Sequence, residues 1–221
     1  MNLVSPKRNV LRLCAGAVAV VVLSGCGSVH PGDAAVVEGT EISMSTADET
    51  AAAYCAVSLI SAKQQGINEL SGAETRRQAV SDLVTHAVAQ RVAKSEGIEA
   101  DPKLYELTDD QLAQIQEAFK DSNPDQVVKA ILMAQETYAL TIALGERAAG
   151  MELNDNNGEV IQAAGESTLV KAMEKLDIEV DDRFGLDDLT VQISDTGSLS
   201  VDEENLAATP VEELPATQRC A

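Results

Sequence analysis

Apolar positions recur every three or four residues through the middle of the chain and alternate only near its two ends. Val80, Leu83, Val84, Ala87, Val88 and Val92 keep helical spacing, which predicts a helix from Gly72-Ala73 to a C-terminal stop at Gly97. Asn123-Pro124-Asp125 reads as a helix start, with Asn as N-cap and Pro in the first turn. Val127, Val128, Ile131, Leu132, Tyr138, Ala139 and Ile142 then hold the period to about Gly150. A shorter acidic helix is expected over Thr108–Asp121, and another from about Glu159 to Leu176. Upstream, Thr46-x-x-Glu49 fits a capping box for a first helix. That helix carries Ala53, Tyr54, Val57 and Ile60 on one face and ends near Gly66. Ala35-Val36-Val37 and Glu41-Ile42-Ser43, joined through Glu38-Gly39-Thr40, read as a small hairpin, and Ile178-Glu179-Val180 as a later strand. The expected fold class is mainly α, with about five helices and a small β patch from an N-terminal hairpin and a C-terminal strand. No internal repeat is evident.

The first residues follow a different logic. Lys7, Arg8 and Arg12 precede an uncharged, apolar or small-residue run from Leu13 to Leu23. That run is short for a membrane span and fits the h-region of an export signal. It ends in Leu23-Ser24-Gly25-Cys26, which resembles the lipobox of bacterial lipoproteins. The resemblance implies cleavage after residue 25 and a diacylglyceryl group, with palmitate-type chains, on Cys26. Two acyl chains suffice for stable anchoring where one is marginal. The implied order is a signal over 1–25, a lipid tether over 26–33, a helical domain over 34–186 and an acidic, mostly irregular tail over 187–221. The implied location is the extracytoplasmic face of the cell membrane.

Composition narrows the function classes. The 221 residues are 45% hydrophobic but only 2% aromatic, so the core must be built from Ala, Val, Leu and Ile. The formal charge is −20. Loss of residues 1–25 removes three basic and no acidic residues, leaving 13 basic against 36 acidic, a net of −23. Such a balance argues against nucleic acid, which needs a basic face. Of four cysteines, Cys14 would leave with the signal and Cys26 would carry lipid, leaving Cys55 and Cys220. Export into a disulfide-permissive compartment makes them candidates for one bridge; two free thiols are the alternative.

The order of elements, with "AAVVEGTEIS" at one end and "DIEVDDRFG" at the other, resembles the N-terminal domain of SurA-like and PrsA-like extracytoplasmic chaperones. Val36, Val37, Gly39 and Ile42 match the opening phrase of that family. Ile178, Val180, Arg183, Phe184 and Gly185 match its closing phrase. Glu38 stands where Asn is usual, and Asp182 where Pro is usual. The resemblance spans roughly Ala34–Leu186, with its specific residues at the two ends. It implies that the hairpin pairs with the later strand, a partner the sequence alone leaves open. It also implies a chaperone module, and no stretch is free for a parvulin isomerase domain.

Catalytic constellations are not found: no G-x-S-x-G, phosphate loop or Cys-x-x-Cys is present. Asp155-x-Asn157-Gly158 hints at a calcium loop, but Leu153 and Ala164 stand at its first and twelfth positions. His86 falls near the apolar face of its helix and reads as a packed or surface residue. His30 falls in the tether and reads as solvent-facing. The expectation is a non-enzyme without cofactor or metal. It would bind unfolded or exported polypeptides; the alternative is an envelope assembly or structural lipoprotein with one dedicated protein partner. Ile131, Met133, Tyr138 and Ile142 are the candidate peptide-binding residues, on the fourth helix.

Overall fold

Glu38 and Gly39 both hold positive φ, 49° and 77°, and reverse the chain in a two-residue turn of the type that matches strand twist. This turn joins β1 (Asp33–Val37) to β2 (Thr40–Ser43), paired antiparallel with Val37 opposite Thr40. The computed structural model describes residues 30–186 and 210–220. The signal, the lipobox with Cys26, and the 187–209 part of the tail lie outside the described residues.

Five helices follow the hairpin: α1 (Met44–Gln64), α2 (Gly72–Glu96), α3 (Asp109–Ala118), α4 (Pro124–Ala149) and α5 (Gly158–Met173). The chain then returns as β4 (Ile178–Val180). β4 pairs antiparallel with β1, Ala35 opposite Val180 and Val37 opposite Ile178, so the sheet order is β2-β1-β4. The mainly helical fold with a small antiparallel sheet is the expected one.

Glu38 does more than turn the chain. Its backbone N–H donates to the Asp177 carbonyl at 2.7 Å, and its Oε1 accepts from the Asp177 N–H at 3.0 Å. Its other carboxylate oxygen lies 2.9 Å from the Arg91 guanidinium on α2. A non-glycine residue at positive φ carries strain. These contacts offset it and fasten the hairpin turn to the start of β4.

The helix ends largely obey the sequence. Asn123 Oδ1 accepts from the Gln126 N–H, with Pro124 in the first turn of α4. Gly97 and Gly150 close α2 and α4 in the left-handed conformation. Two caps differ from expectation. Ser43, three residues before Thr46, caps α1 by accepting from the Thr46 N–H at 3.1 Å, because β2 runs directly into the helix. The capping box belongs instead to α3, where Thr108 and Gln111 bond reciprocally.

The main core lies between the sheet and α2, α4 and α5. Val80, Val84 and Val88 are fully buried there with Val37, Leu144 and Leu169. Each such side chain contributes roughly 1.5–3 kcal/mol relative to exposure. α1 departs from the expected face. It buries Ala47, Ala51, Ala53, Leu59 and Ala62, whereas Val57 and Ile60 are 42% and 40% exposed. Alanines let α1 approach its neighbours closely, and Val57 and Ile60 are left on the outer side. α4 is long and apolar enough to cross a membrane by length and composition. It is also the helix that packs against α1, α2, α3 and α5, which accounts for its few polar positions.

α4 and α5 touch backbone to backbone. A Cβ on Gly145 would collide with the Ile161 carbonyl, and one on Gly165 with the Thr141 carbonyl. The two glycines make a reciprocal pair of contacts across antiparallel helices.

The far end of the expected tail carries local order. Among the described residues, Val211–Glu213 and Ala216–Gln218 form short 3-10 turns and Leu214 is buried. β5 (Arg219–Cys220) pairs antiparallel with β3 (Leu70–Ser71). The Arg219 guanidinium lies 2.9 Å from the Glu69 carboxylate. Cys220 is disulfide-bonded to Cys55 across 165 residues, with Cα atoms 5.3 Å apart. The covalent link and the local pairing hold a segment whose composition alone would not fold.

Candidate functional site

Where α1, α2 and α4 diverge, short side chains leave a cleft of about 860 Å³. α1 contributes Tyr54, Val57 and Ser58, spaced so that one helix face lines the opening. α4 contributes Ala130, Ile131 and Ala134, again on one face. Leu186, after β4, closes the apolar side. α2 supplies Glu74, Thr75, Arg77, Gln78 and Ser81. The apolar lining therefore comes from Val57, Ala130, Ile131, Ala134 and Leu186, and most of the hydrogen-bonding groups from α2. The volume falls in the range of sites that enclose a small ligand or a few side chains.

The polar part of the lining is held in place. Tyr54 Oη donates to Asp82 Oδ2 at 2.7 Å, and Gln78 Nε2 donates to Asp82 Oδ1 at 2.7 Å. Both carboxylate oxygens are thus engaged. Burial pushes the Asp82 carboxyl above the usual range, while the hydrogen bonds from Tyr54 and Gln78 pull it back. Burial first, then the charge and hydrogen bond of Asp82, drives the Tyr54 phenol far above its ordinary value. Tyr54 stays protonated at any physiological pH and acts as a fixed donor. Thr75 Oγ1 donates to the Gly72 carbonyl at 3.0 Å and sits 3.3 Å from Cys55 Sγ. The disulfide therefore lies directly behind the cleft wall.

Charge in the lining is balanced, with one acidic residue, Glu74, and one basic residue, Arg77, both on α2. The cleft does not share the strong negative bias of the whole chain. It is suited to neutral matter that offers both apolar side chains and backbone amides.

The four α4 candidates part company here. Ile131 lines the cleft. Met133 is half-buried and lies outside the lining, and its carbonyl accepts from Thr137 Oγ1 at 2.8 Å. Tyr138 is 44% exposed but two turns away from Ile131 along α4, outside the cleft. Ile142 is 2% exposed and belongs to the core. Sequence reasoning missed Tyr54, Val57 and the α2 wall. Their signal was present: Tyr54, Val57 and Ser58 share a face, but that face reads equally as core.

His86 sits apart from the cleft. Thr137 Oγ1 already donates to the Met133 carbonyl, so at 2.9 Å it accepts from His86 Nδ1–H. His86 Nε2 lies 3.6 Å from the Glu136 carboxylate, which also accepts from Gln90. Burial lowers the imidazole below its ordinary range, and Glu136 opposes that shift.

Comparison with protein-family models, curated proteins and solved structures found no match for this chain.

Proposed function

We propose that this chain is a membrane-anchored, extracytoplasmic lipoprotein that binds unfolded or exported polypeptides in the α1–α2–α4 cleft, without isomerase or other covalent chemistry. The observation that carries the reading is the mixed lining of the cleft. Val57, Ala130, Ile131, Ala134 and Leu186 offer apolar surface, and α2 offers hydrogen-bonding side chains. Polypeptides present both kinds of surface at once. A shallow site that holds one or two apolar side chains and a few amides selects little by sequence, as a chaperone requires.

The likeness to SurA-like domains remains part of the proposal. It is supported by the β2-β1-β4 sheet, which joins the two ends of the helical domain through the residues that carry the likeness. The anchor rests on Cys26 and the preceding signal-like run. Lipid would hold the domain close to chains emerging at the membrane, and the net negative charge would keep it from lying on anionic headgroups.

The test is suppression of aggregation. A chemically unfolded exported protein is diluted with an equimolar amount of the full chain in detergent. Suppression above that of an inert acidic protein is expected, and Ile131→Asp should weaken it. Val170→Asp, on α5 and outside the cleft, should leave it intact. No suppression by the wild type would remove the general chaperone reading and leave a single dedicated partner as the reading to pursue.

A further inference from the structure

The tether and the first hairpin bring three metal-type ligands together. A ring nitrogen of His30, a carboxylate oxygen of Asp33 and one of Glu41 all lie within 4.8 Å of one another. His30 Nδ1 is 4.0 Å from Asp33 Oδ2. Local backbone bonds hold the arrangement: the Asp33 N–H donates to the His30 carbonyl at 3.0 Å, and the Met44 N–H to the Gly32 carbonyl at 2.7 Å.

Asp33 separates this group from an ordinary acidic surface. It is only 9% exposed, and its Oδ2 is buried with no hydrogen-bond partner among the described residues. A buried carboxylate oxygen without a donor bears its desolvation cost uncompensated. The oxygen faces His30 and Glu41, both exposed and free to adjust.

We propose that His30, Asp33 and Glu41 form a binding site for one divalent transition-metal ion of the zinc class. One imidazole nitrogen with two carboxylates suits such an ion. Calcium wants six to eight oxygens, and magnesium keeps most of its water. Metal–ligand distances of about 2.0–2.2 Å place tetrahedral donors roughly 3.3–3.6 Å apart. The exposed His30 and Glu41 side chains need only swing inward by about an ångström, while Asp33 stays fixed in the sheet. Three protein ligands leave a fourth position open to water or to a group from another molecule. A bound ion would also pin the tether to β1 and β2, fixing how the domain leaves its anchor.

The test is a calorimetric titration of the full, untagged chain in detergent with Zn²⁺. Thiols are alkylated beforehand, and millimolar Mg²⁺ is present to occupy diffuse acidic surface. One equivalent should bind. His30→Ala, at an exposed position that does not endanger folding, should weaken binding by at least about 10–100-fold, the loss known for mere supporting partners of metal ligands. Asp33→Asn should do the same. An isotherm unchanged by His30→Ala, or binding abolished by Mg²⁺, would overturn the site.

Discussion

Replacing Gly165 by Ala adds a single carbon, and its effect follows from the α4–α5 contact. That carbon would collide with the Thr141 carbonyl oxygen and lie 2.9 Å from both the Thr141 carbonyl carbon and Cγ2. The obstacle is backbone in the middle of α4, which cannot rotate away. The helices must separate by on the order of 1 Å, and such a gap forfeits a quarter to a half of the dispersion attraction across it. Overpacking of this kind costs typically about 1–3 kcal/mol. Ala instead of Gly inside a helix returns about 0.8–1.0 kcal/mol. Because the obstacle is backbone, the upper part of that range applies, about 2–3 kcal/mol, and Gly165→Ala should be less stable by roughly 1–2 kcal/mol. Gly158→Ala is the control, since a Cβ there meets only Leu153 Cδ1 at 3.9 Å. It gains the backbone term without a clash and should be neutral or more stable by up to about 1 kcal/mol. Urea unfolding followed by circular dichroism reads both. A Gly165→Ala protein as stable as the wild type would refute the close-packed interface.

Three further outcomes are expected. Cys220→Ser should lose up to about 5 kcal/mol, the chain-entropy ceiling for so long a loop, and reduced wild type should match it; alkylation of Cys55 or Cys220 in the unreduced native protein would contradict the bridge. The folded-state value of His86 lies below the unfolded value of about 6.5, so the unfolded chain binds more protons between the two. Stability from this group is complete above that unfolded value and is lost as pH falls through it. His86→Gln should therefore flatten the decline measured by urea unfolding between about pH 7.5 and about pH 5.5, and an unchanged slope would count against the buried imidazole. Cys26→Ser should move the protein from the membrane fraction to the soluble one, and retention in the membrane would end the lipid-anchor proposal.

How much the sequence disclosed depended on whether a feature has a period. α2 and α4 were legible because caps such as Asn123, Gly97 and Gly150 bracket long apolar stripes. The three-stranded sheet was legible through the phrases at its two ends. A stripe, however, gives a face without naming what covers it. That is why Ile142 is buried while Ile131 opens on the cleft, and why α1 turns alanines inward and Val57 outward. β3 and β5 are two residues each, too short for any alternation, and their register depends on the Cys55–Cys220 link. Gly145 and Gly165 carried no signal at all, since a glycine within a helical pattern does not announce which backbone approaches it. His30, Asp33 and Glu41 meet only because the hairpin folds Glu41 back beside the tether.

The cleft is tested most directly by placing a photo-cross-linking residue at Val57 or at Val170 and offering an unfolded exported protein. The two positions are similarly exposed, 42% and 46%, but only Val57 lines the cleft. Cross-links formed at position 57 and not at 170 are the predicted result. Equal yields at both positions, or none at 57 while aggregation is still suppressed, would place polypeptide binding elsewhere on the molecule.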